Sequence, residues 1–316
     1  MKQFEDSALK TISIVVPVFN NSGSLVELTA RLIEVTEYIN GYKFELIFVD
    51  DGSTDESFIE LCKIKDSLVS KEVMKVIKFN RNYGQMAAIL AGWQAMSGAA
   101  SVVISADLQD APEEIVKLIE ASQDGCELVI ATREFRRDAR MLQFTSKIAY
   151  YFIRKKYPKY PKGGFDFYYL SSNLVKEIQK LKGSNRYLQP EIISLGYPMA
   201  FIQTTREARK HGKSGYNFSK RLDFLITALI DISPRISRLL ATLGFIGIAL
   251  SFILSLTAIY NRLVGEIAFS GFTTLFCFIS FFSGIQVLSL SIISEYVWRI
   301  YDSNRQRATF IVTATY

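Results

Sequence analysis

The chain has 316 residues, enough for one large domain or about two of ordinary size, and a composition of 49% hydrophobic against 22% charged residues excludes intrinsic disorder. A mean hydropathy of +0.16 is too high for a purely water-soluble protein, while the charged content is too high for a transporter core. The formal charge of +6 is unevenly placed: 133–162 holds ten Lys/Arg against two acids and 204–238 eight against three, so the remainder is net acidic and the basic segments suggest sites for something anionic. Cys62, Cys126 and Cys277 form no CxxC pair, which argues against a disulfide framework or structural zinc, and the single His211 argues against a histidine-ligated metal. The first ten residues are polar, with Lys2 and Lys10 against Glu5 and Asp6, and lack a secretory leader pattern, so the first part of the chain is expected in the cytoplasm.

Taken in order, apolar runs at Ile12–Val16, Phe44–Val49, Met74–Phe79, Ser101–Ala106 and Glu127–Thr132 are too short for helices and rich in β-branched residues, and they read as buried strands. Between them, Leu25, Leu28, Leu32, Val35 and Ile39 share one helical face, and Pro112 followed by Glu113 and Glu114 marks a helix start. This alternation predicts an α/β fold, a parallel sheet with helices on both faces, whose ligands bind beyond the carboxyl ends of the strands. The second strand is followed there by Asp50-Asp51-Gly52-Ser53-Thr54-Asp55 and the fourth by Ser105-Ala106-Asp107-Leu108-Gln109-Asp110. Acidic residues at neighbouring strand ends disfavour a bare phosphate, but they hold hard divalent cations and hydrogen-bond ribose hydroxyls or a base. A turn and helix cap is the plainer reading of Asp55. Two adjacent carboxylates leaving an apolar strand, Asp50 and Asp51, need a further reason. The turn Pro17–Gly23 carries neither GxGxxG nor GxxxxGK[ST], which disfavours hydride transfer and ATP hydrolysis.

Further along, no charged residue occurs between Arg238 and Arg262 or from Ile267 to Ser294, and each stretch exceeds the roughly 20 residues that cross a bilayer. Two transmembrane helices are predicted. Arg235 and Arg238 precede the first, Arg299, Arg305 and Arg307 follow the second, and Arg262 in the connecting loop is offset by Glu266, so both termini are expected on the cytoplasmic side. Before them, Phe218, Leu222, Leu225, Ile226, Leu229 and Ile230 recur at helical spacing among Lys220, Arg221 and Asp223, as in a helix lying in the membrane interface or packed on the preceding domain. The expected division is a cytoplasmic α/β domain over 1–215, juxtamembrane amphipathic helices over 216–238, and two transmembrane helices with a cytoplasmic tail over 239–316.

The segments Ile14-Val15-Val16-Pro17-Val18-Phe19-Asn20, Val49–Asp55, Asn82-Tyr83-Gly84-Gln85, Ala106–Glu113, Gly164-Phe165-Asp166-Phe167 and Arg206–Ser214 follow one another in order, with the apolar pair after them. Together they resemble glycosyltransferase family 2, and more narrowly its polyprenyl-phosphate glycosyltransferases, the bactoprenol glucosyltransferase and dolichyl-phosphate mannose synthase group. The resemblance covers about residues 11 to 305. It implies a GT-A type, doubly wound, mostly parallel sheet. It further implies a membrane enzyme of cell-envelope polysaccharide synthesis that passes a sugar, with inversion, from a nucleotide-diphosphate donor to a polyprenyl phosphate such as undecaprenyl phosphate. UDP-glucose or a UDP-N-acetylhexosamine is the expected donor, Mg²⁺ or Mn²⁺ the cofactor and a homo-oligomer the assembly, with no nucleic-acid partner. Carried over by position, Pro17, Phe19, Asp50 and Asp51, with Asp107, would bind the nucleotide. Asp107 and Gln109 would hold the metal; Arg133, Arg206, Arg209 and Ser214 would meet the diphosphate or the acceptor; Asp166 would lie near the acceptor as the second catalytic carboxylate beside Asp107.

Chemistry sharpens these roles. A phosphate nucleophile with a second pKa near 6 is largely ionised at pH 7, so Asp166 is expected to position it more than to deprotonate it. Three positions depart from the family pattern: Ser105 stands where the first Asp of a DxD is usual, Asn21 where Glu follows Asn20, and Gly215 where Lys follows Ser214. Ser105 leaves Asp107 as the main acidic ligand and motivates an alternative, a catalytically inactive membrane-anchored nucleotide-sugar binder. A processive polysaccharide synthase would want more membrane helices and a QxxRW motif.

Overall fold

The computed structural model describes residues 9–70, 73–133, 153–161, 164–181, 187–204 and 309–316, with scattered helical positions between 260 and 300. The chain divides into two compact units, Met1–Leu225 with Arg307–Tyr316, and Ile226–Gln306.

The first unit is built on a sheet of β1 (Lys10–Val18), β2 (Tyr42–Asp50), β3 (Met74–Phe79), β4 (Ala100–Val103), β5 (Leu128–Arg133), β6 (Tyr168–Ser171), β7 (Met199–Thr204) and β8 (Val312–Thr315), in spatial order β7-β5-β6-β4-β1-β2-β3-β8. β1 to β5 and β7 run one way; β6 and β8 run against them. The mostly parallel α/β sheet expected from the sequence is therefore present. The helices are α1 (Leu25–Tyr38), α2 (Ser57–Ser67), α3 (Gln85–Ala95), α4 (Ile115–Ser122), α5 (Ser172–Lys180) and α6 (Leu188–Ser194). Pro112–Glu114 forms the 3₁₀ turn that opens α4, where Pro supplies the fixed φ of a helix start.

Successive residues of a strand point to opposite faces, so a strand covered on both sides is apolar at every position. Ile14, Val15 and Val16 and Leu46, Ile47, Phe48 and Val49 are all fully buried. One face of the sheet packs on Leu25, Leu28 and Leu32 of α1 and Ile115, Leu118 and Ile119 of α4, which share a core cluster with Ile12, Ile14, Val16, Leu46 and Phe48. On the other face α3 lies so close that a Cβ on Gly92 would stand 2.3 Å from Val15 Cγ1. Each such side chain contributes roughly 1.5–3 kcal/mol on burial, and together they hold the strand ends at fixed positions.

Away from the carboxyl ends of the strands, Glu45 of β2 is buried among donors. Its Oε1 accepts from Ser13 Oγ (2.5 Å) and the Ser97 amide (2.5 Å), and its Oε2 from Lys75 Nζ (2.8 Å). Burial pushes the Glu45 carboxyl up, but these bonds and the Lys75 charge outweigh it and hold it below the usual carboxylate range.

The last strand was not anticipated. β8 adds antiparallel to the outer edge of β3, with Tyr316 and Val76 exchanging both main-chain hydrogen bonds (2.8 and 2.9 Å), Phe310 stacked on Phe79 at 5.0 Å, and Tyr316 Oη donating to the Asp66 carboxylate at 2.8 Å. The outer edge of β3 is thereby paired, and the short β8 becomes the sheet's edge on that side.

Among the described residues no helix is long and apolar enough to cross a membrane. The two segments predicted to do so lie outside the described residues apart from isolated helical positions, and the amphipathic stretch before them lies wholly outside. The isolated positions include Leu275, Ile279, Leu290 and Ile293, all helical with exposed apolar side chains.

Candidate functional site

The loops that leave β1, β2, β3 and β4 at their carboxyl ends are tied to one another. Asn20 adopts φ +53°, a conformation its short polar side chain tolerates. Its amide donates to Ser53 Oγ (3.0 Å) and its Oδ1 accepts from the Thr54 amide (2.9 Å); the Asn21 amide donates to Ser57 Oγ (2.9 Å) and the Ser22 amide to Asp55 Oδ2 (3.2 Å). Asp55 Oδ1 accepts the Ser57 amide at 3.0 Å, so Asp55 organises the start of α2, the plainer of its two readings. Ser24 Oγ, buried at the start of α1, donates to the Ala106 carbonyl at 2.7 Å and ties in the loop after β4.

Asp50 and Asp51 are adjacent, yet their surroundings differ completely. Asp51 receives the amides of Tyr83 (2.6 Å) and Gly84 (2.8 Å), one on each carboxylate oxygen, and so fixes the loop that opens α3. Asp50 is fully buried; its Oδ1 accepts the Ser53 amide at 3.1 Å, while its Oδ2 is buried without a hydrogen-bond partner. Burial raises the Asp50 carboxyl above the usual range, against the opposing pull of Ser53 and of Lys78, its register partner on β3. An orphaned buried carboxylate oxygen costs about 1–3 kcal/mol and is expected where a ligand brings the missing donor. Gly52 next to it has φ +66°, and a Cβ there would meet the main-chain carbon of Arg81 at 2.3 Å. Only glycine allows the two loops to touch.

After β4 the chain makes an acidic turn with Leu108 at φ +56°. Ser105 Oγ lies 3.0 Å from Asp107 Oδ1 and 3.3 Å from Asp110 Oδ2, and the Gln109 amide donates to Asp107 Oδ1 at 3.2 Å. Asp107 and Asp110 are both buried. Among the described residues no three His, Cys, Asp or Glu side chains form a ready metal cage. Two carboxylates and a hydroxyl are nevertheless an all-oxygen set, and such a set suits Mg²⁺ or Mn²⁺, which keep water and bind through one or two carboxylates plus substrate phosphates. The residues present therefore fit a hard divalent cation. Asp110 belongs to that set although the sequence reading assigned it no role.

Asp166 reaches the same edge from the opposite direction. β6 runs antiparallel between β4 and β5, with Tyr168 level with Val103 and Ile130, and continuing that register sets Asp166 level with Ser105 and Thr132. β5 ends on Arg133, paired with Thr204 at the end of β7. Asp50, Asp107, Asp166 and Arg133 thus all lie at the carboxyl edge. Pro17 lies near the end of β1 and Phe19 just past it, the latter with 43% of its surface exposed. Arg206, Arg209 and Ser214 lie outside the described residues.

The sheet order, the acidic turn after β4 and the antiparallel β6 are accompanied by a direct sequence match: the family model described as Glycosyl transferase family 2 matches residues 13–176, more than half the chain. The chain belongs to glycosyl transferase family 2. Full-length relatives within the family include the undecaprenyl-phosphate 4-deoxy-4-formamido-L-arabinose transferase of Pectobacterium atrosepticum, 31% identical over 97% of this chain and 94% of that one. The bactoprenol glucosyl transferase of Shigella phage SfV is 30% identical over 95% of this chain and 97% of its own. Among solved structures, the glucosyl-3-phosphoglycerate synthase of Mycobacterium tuberculosis shares the fold with a TM-score of 0.51 at 19% identity, covering 69% of this chain and 80% of that one. Like its relatives, this family 2 chain is a glycosyltransferase.

Proposed function

We propose that this glycosyltransferase moves a sugar, with inversion, from a UDP-sugar, UDP-glucose or a UDP-N-acetylhexosamine, to a polyprenyl phosphate such as undecaprenyl phosphate at the cytoplasmic face of the membrane. The observation that carries the acceptor is the near full-length similarity to enzymes named for undecaprenyl phosphate and bactoprenol. The unpartnered Oδ2 of Asp50 supports a nucleotide in the crevice beyond β1 and β2, where a ribose hydroxyl or a base N–H supplies the missing donor. Asp107 and Gln109, with Asp110, would hold Mg²⁺ or Mn²⁺, which when bound stabilises charge on the departing diphosphate.

The remaining work falls to the chain itself. Arg133, Arg206 and Arg209 would supply cations to the diphosphate or the acceptor phosphate, and Ser214 a hydroxyl. Asp166 orients the acceptor phosphate, already largely ionised at pH 7, towards the anomeric carbon. In this reading the apolar segments between Arg238 and Arg262 and from Ile267 to Ser294 cross the bilayer; the exposed apolar side chains at Leu275, Ile279 and Ile293 support it.

The test is a panel of radiolabelled nucleotide sugars incubated with undecaprenyl phosphate and the membrane-embedded protein, scored by label entering the organic phase. Transfer of one sugar supports the proposal; no transfer from any donor counts against it. Release of UDP that depends on the lipid separates transfer from the alternative of an inactive nucleotide-sugar binder.

A further inference from the structure

Gln189 carries no motif and was not singled out by any pattern in the sequence. It is the second residue of α6, and its side chain is buried with 6% exposure. Nε2 donates to Asp166 Oδ1 at 3.1 Å and to the main-chain carbonyl of Phe165; Oε1 accepts from Tyr160 Oη at 2.6 Å and Tyr187 Oη at 3.1 Å. A primary amide has two N–H donors and two acceptor lone pairs, and here all four are engaged. Chemistry fixes the orientation, because a carboxylate and a carbonyl accept only and so must face the NH₂, while the two hydroxyls are free to donate to Oε1.

The supports are rigid as well. Tyr160 is 2% exposed and lies 6.0 Å from the Phe165 ring, and Phe165 meets Tyr168 edge-on at 5.1 Å. Phe165 and Phe167 are buried on either side of half-buried Asp166, so the backbone around the carboxylate is anchored and Gln189 sets its rotamer. A satisfied buried polar network of this kind specifies one arrangement, and replacing a member removes bonds that hold the others in place.

We propose that Gln189 is the positioning residue for Asp166, held in turn by Tyr160 and Tyr187, and that it acts on turnover through Asp166 alone. This rests on the reading that Asp166 orients the acceptor phosphate. Glu at this position would set a carboxylate against a carboxylate, and Met would withdraw the amide from Asp166 and from the two hydroxyls, which still face each other at 3.1 Å.

The test is a double-mutant cycle on the full-length enzyme in membranes, with Gln189→Met, Asp166→Asn and the pair, reading kcat and the KM for the nucleotide sugar. In the wild-type background Gln189→Met is expected to lower kcat by about 10- to 100-fold, as loss of a supporting partner does elsewhere, with the nucleotide-sugar KM within about twofold. In the Asp166→Asn background it should cost less than about twofold more, since the residue it positions is already disabled. Equal losses in both backgrounds would show a structural role only and overturn the proposal. So would an unchanged kcat for Gln189→Met beside an impaired Asp166→Asn. Normal turnover by Asp166→Asn removes instead the reading of Asp166, and this proposal with it. Should Gln189→Met fold poorly, Tyr160→Phe enters the same cycle, as it deletes one hydroxyl and keeps the ring; its loss must likewise vanish in the Asp166→Asn background.

Discussion

The Ser105 hydroxyl stands 3.0 Å from Asp107 Oδ1 and 3.3 Å from Asp110 Oδ2, between the two carboxylates of the acidic turn. Replacing it by a third carboxylate, Ser105→Asp, adds a hard ligand at the price of repulsion when no cation is present. The half-saturating Mn²⁺ concentration should fall roughly tenfold, and the melting temperature without cation should drop. Ser105→Ala should shift the Mn²⁺ requirement the other way. Activity titrated against Mn²⁺, with melts in EDTA, checks both.

Asp50 offers stability in exchange for binding. Its carboxyl is raised by burial, so the folded state holds its proton more readily than the unfolded state does, and ionisation of Asp50 costs stability as pH rises through and above that window. Asp50→Asn removes the buried charge and should stabilise the ligand-free protein at pH 7 by about 1 kcal/mol. The same change should weaken UDP binding at least about tenfold, since a group that accepts from the nucleotide is lost. Urea unfolding and calorimetric UDP titration measure the two effects, and a variant that binds UDP normally would refute the nucleotide role.

Asp51 is expected to behave in the opposite way. Asp51→Asn turns an NH₂ towards one of two main-chain amides, and the lost charge-assisted bond should cost about 1.5–3 kcal/mol in urea unfolding. Nucleotide affinity should then fall only in so far as the Tyr83–Gly84 loop moves.

Acid sensitivity should originate partly at Glu45. Its folded-state pKa lies below the ordinary value, so its contribution is fully present above the unfolded pKa and is lost as pH falls towards and through the folded one. Stability followed by urea unfolding from pH 7 to 3 should therefore decline below about pH 4.5. Glu45→Gln should lower stability at pH 7 by about 2 kcal/mol and show a smaller decline in acid.

Position should matter more than bulk charge in the basic segments. Neutralising Arg133 or Arg206 should reduce transfer by about 100-fold, as removal of a transition-state donor does. Neutralising Lys155 or Lys159, which are exposed, should change it less than about twofold in moderate salt. Initial rates of the four single variants decide the matter, and equal losses would mean that only net charge counts.

What could be read from the residues depended on how local the cause was. Ile14-Val15-Val16 and Leu46–Val49 announce strands because every position is apolar, which only a sheet covered on both faces requires. The expected strand at Ser101–Ala106 stops at Val103, because beyond Ile104 the chain leaves the ladder to bring the Ala106 carbonyl to Ser24. Asp50 and Asp51 look equivalent in sequence; they differ because the amides of Tyr83 and Gly84, more than thirty residues on, fold back onto one and not the other. Gln189 lies 23 residues beyond Asp166, and no periodicity connects them. β6 and β8 are four residues each, too short to carry a pattern, and both are defined by the partner strand.

β8 also has a topological consequence. The backbone leaves the sheet after Thr204 and rejoins it at Val312, so both ends of the intervening hundred or so residues are pinned to one rigid body on one side of any bilayer. In the proposed membrane enzyme the segment between them would therefore cross an even number of times. A single crossing, or three, would require pulling β8 off β3, breaking the Tyr316–Val76 exchange and the Phe310–Phe79 stack; parity is written into the sheet edge rather than into the apolar segments themselves.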